Sequence, residues 1–344
     1  MPRIPTRATD SMTSSIPDNH QPAAQSGRIL LKFVVRIAVT ASILFLILRS
    51  IDTGQIAAVM SEARLDLLFV ALLLQFGSTA VSAYRWQLIM HNLNFGQSFP
   101  FYLRSYLKAS FFNQGLPTSI GGDTLRVLDV ARCGFRKRDV LYGVAVDRIV
   151  GLAALLLLTL LACVSKPGLL PQNVFLPIVL LMTCGLVGLL CISLLRRMTW
   201  LEQYPKLGFI WAVSVRFHRS LSTGRFTLIA LSLLIPLLAM LCFYCLGWAL
   251  GLRYGLMTYF AIVPPAIVLT VIPVSIAGWG VREGALVSLF SLIGASKPAV
   301  LMMSLLYGLT LVIVGLPGLV IYLKGLRRQR SPVQSRPPPE RPEA

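Results

Sequence analysis

Uninterrupted apolar runs of about 20 residues recur along this chain, and no other feature limits its fold so severely. An α-helix rises ~1.5 Å per residue, so such a run matches the ~30 Å hydrocarbon core of a bilayer. Six runs read as full spans, at about 30–48, 67–89, 139–163, 173–195, 226–250 and 299–323. Lipid offers backbone N–H and C=O groups no partner, so each crossing must satisfy its own hydrogen bonds as a helix. Composition agrees, because 13% of the residues are charged, against about 25% in a typical soluble domain. An ordinary soluble globule and a disordered chain are both excluded. The expected fold class is an all-α polytopic membrane protein.

The net charge of +19 takes its meaning from that setting. A nucleic-acid binder gathers its bases on a folded surface with aromatic residues between them. Here the bases lie between the apolar runs and at the two ends, so no nucleic-acid partner is expected. The flank up to Arg36, the stretch 85–138, the loop 196–225 and the flank from Lys324 together hold 25 Lys and Arg, and the alternate loops hold 6. The positive-inside rule then places both ends in the cytoplasm of a bacterial inner membrane, with an even number of full spans. The same bases attract anionic lipid. Residues 1–27 and the Pro-rich stretch 327–344 are expected to be tails around a membrane domain at 28–326, with no cleavable signal peptide and no appended soluble domain. Five of the six cysteines sit inside apolar runs and there are three histidines, so no disulfide framework, metal site or cofactor is expected.

Two further apolar segments are broken. Residues 99–116 carry Arg104 and Lys108 in their middle, and 256–294 are interrupted by Pro264-Pro265, Pro273 and the run AGWG at 277–280. Unpaired backbone is too costly for hydrocarbon, so such breaks must face protein or a water-filled cavity. Re-entrant helical hairpins inserted from opposite sides are the simplest solution. The two segments also resemble each other, PTSIGGDTLR at 117–126 matching PVSIAGWGVR at 273–282. Pro117/Pro273, Ser119/Ser275, Ile120/Ile276, Gly122/Gly278 and Arg126/Arg282 coincide. Each ends a broken segment, and the two insert oppositely. That is the pattern of an inverted-topology repeat with a site at the repeat interface, its halves at about 67–163 and 226–323.

The candidate substrate-binding residues follow from these breaks. Gly121-Gly122 permit positive φ or close backbone approach, Ser119 can cap the following helix, and Asp123 suits its first turn. That helix is expected to start near Asp123 and to carry Arg126, Asp129 and Arg132 at i, i+3 steps. A loop leading into a helix N-terminus can take an anion such as a lipid phosphate, or it is a plain cap below a solvated charge ladder. In the second break Ser275 stands where Ser119 does, Gly278 and Gly280 loosen the backbone, and Arg282-Glu283 open a helix expected at 282–293. Arg282 can clamp a phosphate while Glu283 neutralises it or receives a cation. An ordinary interfacial loop anchored by Trp279 is the plain alternative.

Asp147-Arg148 is the sharpest single signal. Nine residues on from Asp139, Arg148 lies roughly 13 Å into its helix. A charge near the bilayer centre costs at least ~2.5 kcal/mol and should face protein or water with a partner. Adjacent residues point about 100° apart on a helix, so Asp147 and Arg148 need not pair with each other. A structural ion pair, or a helix that begins later and leaves both at the interface, would also account for them. Arg104 and Lys108 share one helix face and line a basic cavity or snorkel to the headgroups. Residues 196–224 mix bases with Trp200, Tyr204, Phe209, Trp211 and Phe217, as an amphipathic connector lying on a leaflet does. No P-loop, HExxH motif or G-x-S-x-G elbow occurs, so no catalytic residues are assigned and an enzyme is not expected.

The runs NQGLPTSIGGDTLRVLDVARCGF, DVLYGVAVDRIVGL and IPVSIAGWGVREGALVSLF resemble the lysylphosphatidylglycerol synthase transmembrane-region family, also called the flippase-like domain family, over roughly residues 30–325. The resemblance is most specific at Gly121-Gly122-Asp123 with Arg126, at Asp147-Arg148, and at Gly280-Val281-Arg282-Glu283-Gly284. Ala277 stands where a family glycine is expected. The resemblance implies paired re-entrant helices that move lipids between leaflets. In two-part relatives they accompany a soluble aminoacyl-transferase domain that makes lysyl-lipid, an activity not carried over here. The expected function is a flippase for a phospholipid, isoprenoid or glycolipid headgroup. The compatible partners are membrane lipids, a lipid-synthesis enzyme and a second copy of the chain. The alternative is a lipid-linked glycosyl or aminoacyl transferase, or a non-catalytic membrane subunit of such a pathway.

Overall fold

The computed structural model describes residues 53–115, 120–270 and 278–330. The expected span at 30–48, both tails and the tips of the two breaks, Ser119 and Ser275 included, lie outside the described residues. Eleven α-helices follow one another, with no strand among the described residues: α1 Thr53–Ser61, α2 Leu65–Asn92, α3 Phe99–Gly115, α4 Ile120–Ala131, α5 Lys137–Ser165, α6 Gln172–Leu194, α7 Pro205–Ser220, α8 Arg225–Ala249, α9 Leu256–Leu269, α10 Val281–Ser291 and α11 Lys297–Arg330. α2, α5, α6, α8 and α11 are long and apolar enough to cross a bilayer, and they coincide with five of the six expected spans. Within α6 Met182 is the one buried residue. A helix apolar on every side that buries so little of itself against protein is at home in lipid.

The order long, short, short, long occurs twice, as α2–α5 and as α8–α11. The 156-residue step from Pro117 to Pro273 also carries α2 onto 221–248 and α3 onto 255–271, close to α8 and α9. The first helices of the two halves run antiparallel. Arg64 N–H donates to the Ala249 carbonyl at 3.1 Å, Ser78 Oγ to Ile235 at 3.4 Å, and Asn92 Nδ2 to Thr223 at 2.8 Å. Each broken hairpin then packs on the last span of the other half, α3 on α11 and α9 on α5. The α3–α11 crossing is backbone against backbone. A Cβ on Gly315 would lie 2.9 Å from Phe111 Cα, and one on Gly318 would run into the Leu107 carbonyl. Two cores result, one around Trp86, Met90, Tyr102 and Val146, the other around Phe243, Tyr259, Phe290 and Tyr307.

Three local expectations need correction. α4 begins at Ile120, three residues ahead of Asp123, and α10 spans Val281–Ser291 rather than 282–293. α9 continues through Pro264-Pro265, and the second break comes after it. Each proline forfeits the hydrogen bond to the carbonyl four residues back and crowds that carbonyl, a cost that the surrounding packing of the two buried rings offsets here. The connector matches its amphipathic pattern. α7 docks Ala212, Val213 and Ser214 onto the bundle, Arg216 pairs with Asp139 at 2.6 Å, and Trp200 and Tyr204 beside it remain exposed.

Candidate functional site

Among the described residues, buried charged side chains gather at two places, one at each hairpin. In the first, α4 is pressed onto α3 where the chain turns back. Gly122 N–H donates to Asn113 Oδ1 at 2.9 Å, and a Cβ on Gly122 would meet that oxygen at 2.6 Å and also strike the Ala109 carbonyl. Only glycine permits so close a crossing. The neighbouring Gly121 is half-buried. From this turn α4 aims Asp123 and Arg126 at α5. Arg126 is 1% exposed; its Nη2 donates to Asp147 Oδ2 at 2.8 Å and its Nη1 to Asp123 Oδ1 at 3.2 Å. The same guanidinium sits over Trp86 at 4.1 Å and Tyr106 at 4.7 Å, a stacking that suits arginine's weakly hydrated plane.

Asp147, also 1% exposed, uses its other oxygen for α2. Arg85 approaches Asp147 Oδ1 through Nε at 3.0 Å and Nη2 at 2.9 Å, and Nη2 also reaches the Asp147 backbone carbonyl at 3.1 Å. One carboxylate therefore ties α2, α4 and α5 together. Arg148 points elsewhere, as adjacent helical positions must. Its Nε and Nη2 donate to Asp123 at 2.9 and 3.1 Å, and its side chain is 53% exposed. The cluster contains three guanidiniums and two carboxylates. Four of its five members were candidates from sequence. Arg85 was missed, although Tyr84-Arg85-Trp86 lies inside the expected span 67–89. Counting Arg85 with the basic loop that follows concealed a charge within the span.

The second cluster is smaller and closed. Gly278 and Gly280 have φ of +80° and +85°, left-handed backbone that favours glycine. Gly280 caps α10, and Glu283 reaches back from the first turn to accept its N–H at 2.6 Å, one arm of a capping box. The other Glu283 oxygen accepts from Arg282 Nη2 at 2.7 Å and from Ser304 Oγ at 2.9 Å, and Arg282 Nε lies 3.1 Å from Ser304 Oγ. Glu283 is fully buried. Arg282 lies over Trp279 at 5.0 Å and Tyr307 at 5.5 Å. Both repeat arginines, Arg126 and Arg282, are thus boxed by aromatic rings and joined to carboxylates inside the protein. Asp123 pairs with Arg148, while Asp147 is taken by Arg85 and Arg126. Lys108 does not snorkel, since its ammonium is 2.5 Å from Asp129 on α4, whereas Arg104 is exposed.

These two clusters hold the twin hairpins in place, and in the first they leave one positive charge over. Comparison with curated proteins returns no match. The family model described as the lysylphosphatidylglycerol synthase TM region matches residues 33–318, which take in both hairpins and both clusters. The chain therefore belongs to the lysylphosphatidylglycerol synthase TM region family.

Proposed function

We propose that the chain carries a phosphate-bearing lipid headgroup, that of a phospholipid, an isoprenoid lipid or a glycolipid, between the leaflets of a bacterial inner membrane. Both termini lie in the cytoplasm, on the side that the Lys and Arg bias assigns. Charge carries the reading. Arg85, Arg126 and Arg148 meet Asp123 and Asp147, one positive charge in excess within a bundle of membrane-spanning helices. Ionisable groups at such depth are costly and mark substrate pathways. A phosphodiester is a monoanion and supplies the missing charge. Arg85 and Arg126 are occupied with Asp147, so Arg148, half in solvent, is the arm that meets the headgroup, exchanging Asp123 for a phosphate oxygen pair and back again. The twofold pattern of hairpins supports alternating exposure of such a site to the two sides.

The test is headgroup translocation by Arg148→Ala in proteoliposomes. Transport should be lost while the protein's yield and melting temperature hold, because an arm 53% exposed contributes little to stability. Full transport by this variant overturns the proposal. Incubation of the same preparation with an activated sugar or aminoacyl donor, followed by mass spectrometry of the lipids, distinguishes it from a transferase.

A further inference from the structure

Beyond the first cluster, α4 continues its charge ladder from Asp123 and Arg126 to Asp129 and Arg132 at i, i+3 steps. The outer pair of this ladder lines a separate cleft of about 200 Å³ between α3, α4 and the last turns of α11. Lys108 reaches in from α3 and pairs with Asp129, both largely withdrawn from solvent. Arg132 stands 3.9 Å from the same carboxylate and is mostly exposed, held by no hydrogen bond. Two cations thus share one carboxylate. Tyr322, fixed by an edge contact with Phe112, closes one side, and Leu128 and Ile321 give the cleft an apolar wall. Asp129 lies six residues beyond Asp123, roughly 9 Å along the helix. The cleft opens at the end of the bundle that carries Arg136, Lys137, Arg138 and Lys324, where anionic headgroups concentrate.

We propose that this cleft is a second phosphate site, in which Lys108 and Arg132 hold the phosphate of a headgroup one station outward from the Asp123–Arg148 pair. Two charge-assisted donors, one of them free to fork onto a phosphate, suit that group. The apolar wall suits the glycerol backbone and upper acyl carbons behind it. The inference deepens the transport reading and rests on it for the ligand being a lipid.

The experiment counts phosphatidylglycerol molecules retained by the full chain in native mass spectrometry. Two variants attack the site differently. Lys108→Gln combined with Arg132→Gln removes the cations. Gly325→Leu fills the mouth and leaves every charge in place, and a Cβ there meets nothing within 4 Å, so the fold tolerates it. Each variant should retain one lipid fewer than the unaltered chain, with at least a tenfold loss of affinity. Unchanged stoichiometry and affinity in both variants overturn the proposal. Excess inorganic phosphate settles the source. Displacement of the lipid assigns the site to the phosphate group alone, and retention assigns it to the phosphate together with its lipid backbone. Arg148→Ala should keep this lipid. A cleft that loses its lipid in the two variants, in a protein whose Arg148→Ala form transports normally, sinks the transport reading and leaves the site standing.

Discussion

Asp147→Asn probes the electrostatics of the first cluster, because asparagine keeps the shape, removes the charge and leaves one acceptor oxygen where two arginines now use two. Arg126, 1% exposed, and Arg85, 4% exposed, both lose the carboxylate they now meet at 2.8 and 2.9 Å. Asp123 then becomes the only acid for three guanidiniums. A charge pair at ~4 Å and an effective dielectric of ~20 is worth about 4 kcal/mol, and stranding one partner of a buried pair costs about 3–5 kcal/mol. Arg85 is stranded and Arg126 is left to share Asp123, so a destabilisation of about 3–5 kcal/mol is expected. At roughly 2–4 °C per kcal/mol, the melting temperature in detergent should fall by about 6–20 °C, read by circular dichroism. Arg85→Gln alone should cost less, since Asp147 keeps Arg126. Combined with Asp147→Asn it should recover part of the loss, because one stranded cation is gone and Arg126 retains Asp123. Coupling of about 1–3 kcal/mol in that cycle is the signature. A melting shift for Asp147→Asn within roughly 2 °C, or strict additivity in the cycle, would show that the cluster is hydrated and that the argument from burial is wrong.

Three further substitutions, at two positions, examine the hairpins. Gly122→Val drives a branched side chain into the Ala109 carbonyl and Asn113, so it should cost about 1–3 kcal/mol or block folding, seen as a lowered melting temperature or lost yield. Glu283→Gln strips Arg282 of its charge partner but keeps an oxygen for Gly280 N–H, whereas Glu283→Ala removes both. The alanine variant should melt below the glutamine variant by about 1 kcal/mol, the value of one hydrogen bond.

Five of the six spans were legible, among the described residues, because hydrocarbon imposes a length and a composition that few other constraints can mimic. The hairpin pairing was legible from PTSIGGDTLR and PVSIAGWGVR, since a glycine needed for close approach and a charge needing a partner recur at matched places. What sequence could not give was who pairs with whom. Arg126 and Arg282 read as candidate phosphate ligands, and the structure sets Arg126 against Asp147, 21 residues on, and Arg282 against the adjacent Glu283. Arg85 escaped notice because a charge near a helix end resembles a loop base, and only the third dimension sets it against Asp147. Pro264-Pro265 read as a break on local chemistry. Tertiary packing kept α9 intact there and placed the break beyond it.

The two halves solve one problem in unequal ways, and the inequality assigns them different mechanical roles. In the first half the charges pair across helices, Arg126 of α4 with Asp147 of α5 and Arg148 of α5 with Asp123 of α4, and α2 joins through Arg85. Separating α4 from α5 strands buried charge at Arg126–Asp147, at about 3–5 kcal/mol, and gives up the half-exposed Arg148–Asp123 pair, worth about 0–1 kcal/mol. In the second half the acid has moved onto the short helix beside its arginine. α10 is therefore neutral within itself, and its polar link to α11 is one hydroxyl, Ser304, bonded to Arg282 and Glu283 at 3.1 and 2.9 Å. Hydrogen bonds of that kind are worth about 1.5–3 kcal/mol each, and their loss strands no charge. A rocking motion between halves must spend its free energy where separation costs least. On the proposed transport reading, the α9–α10 hairpin is therefore the part expected to move, and the α3–α4 hairpin, fixed by ion pairs and carrying the surplus cation, is the expected seat of the headgroup.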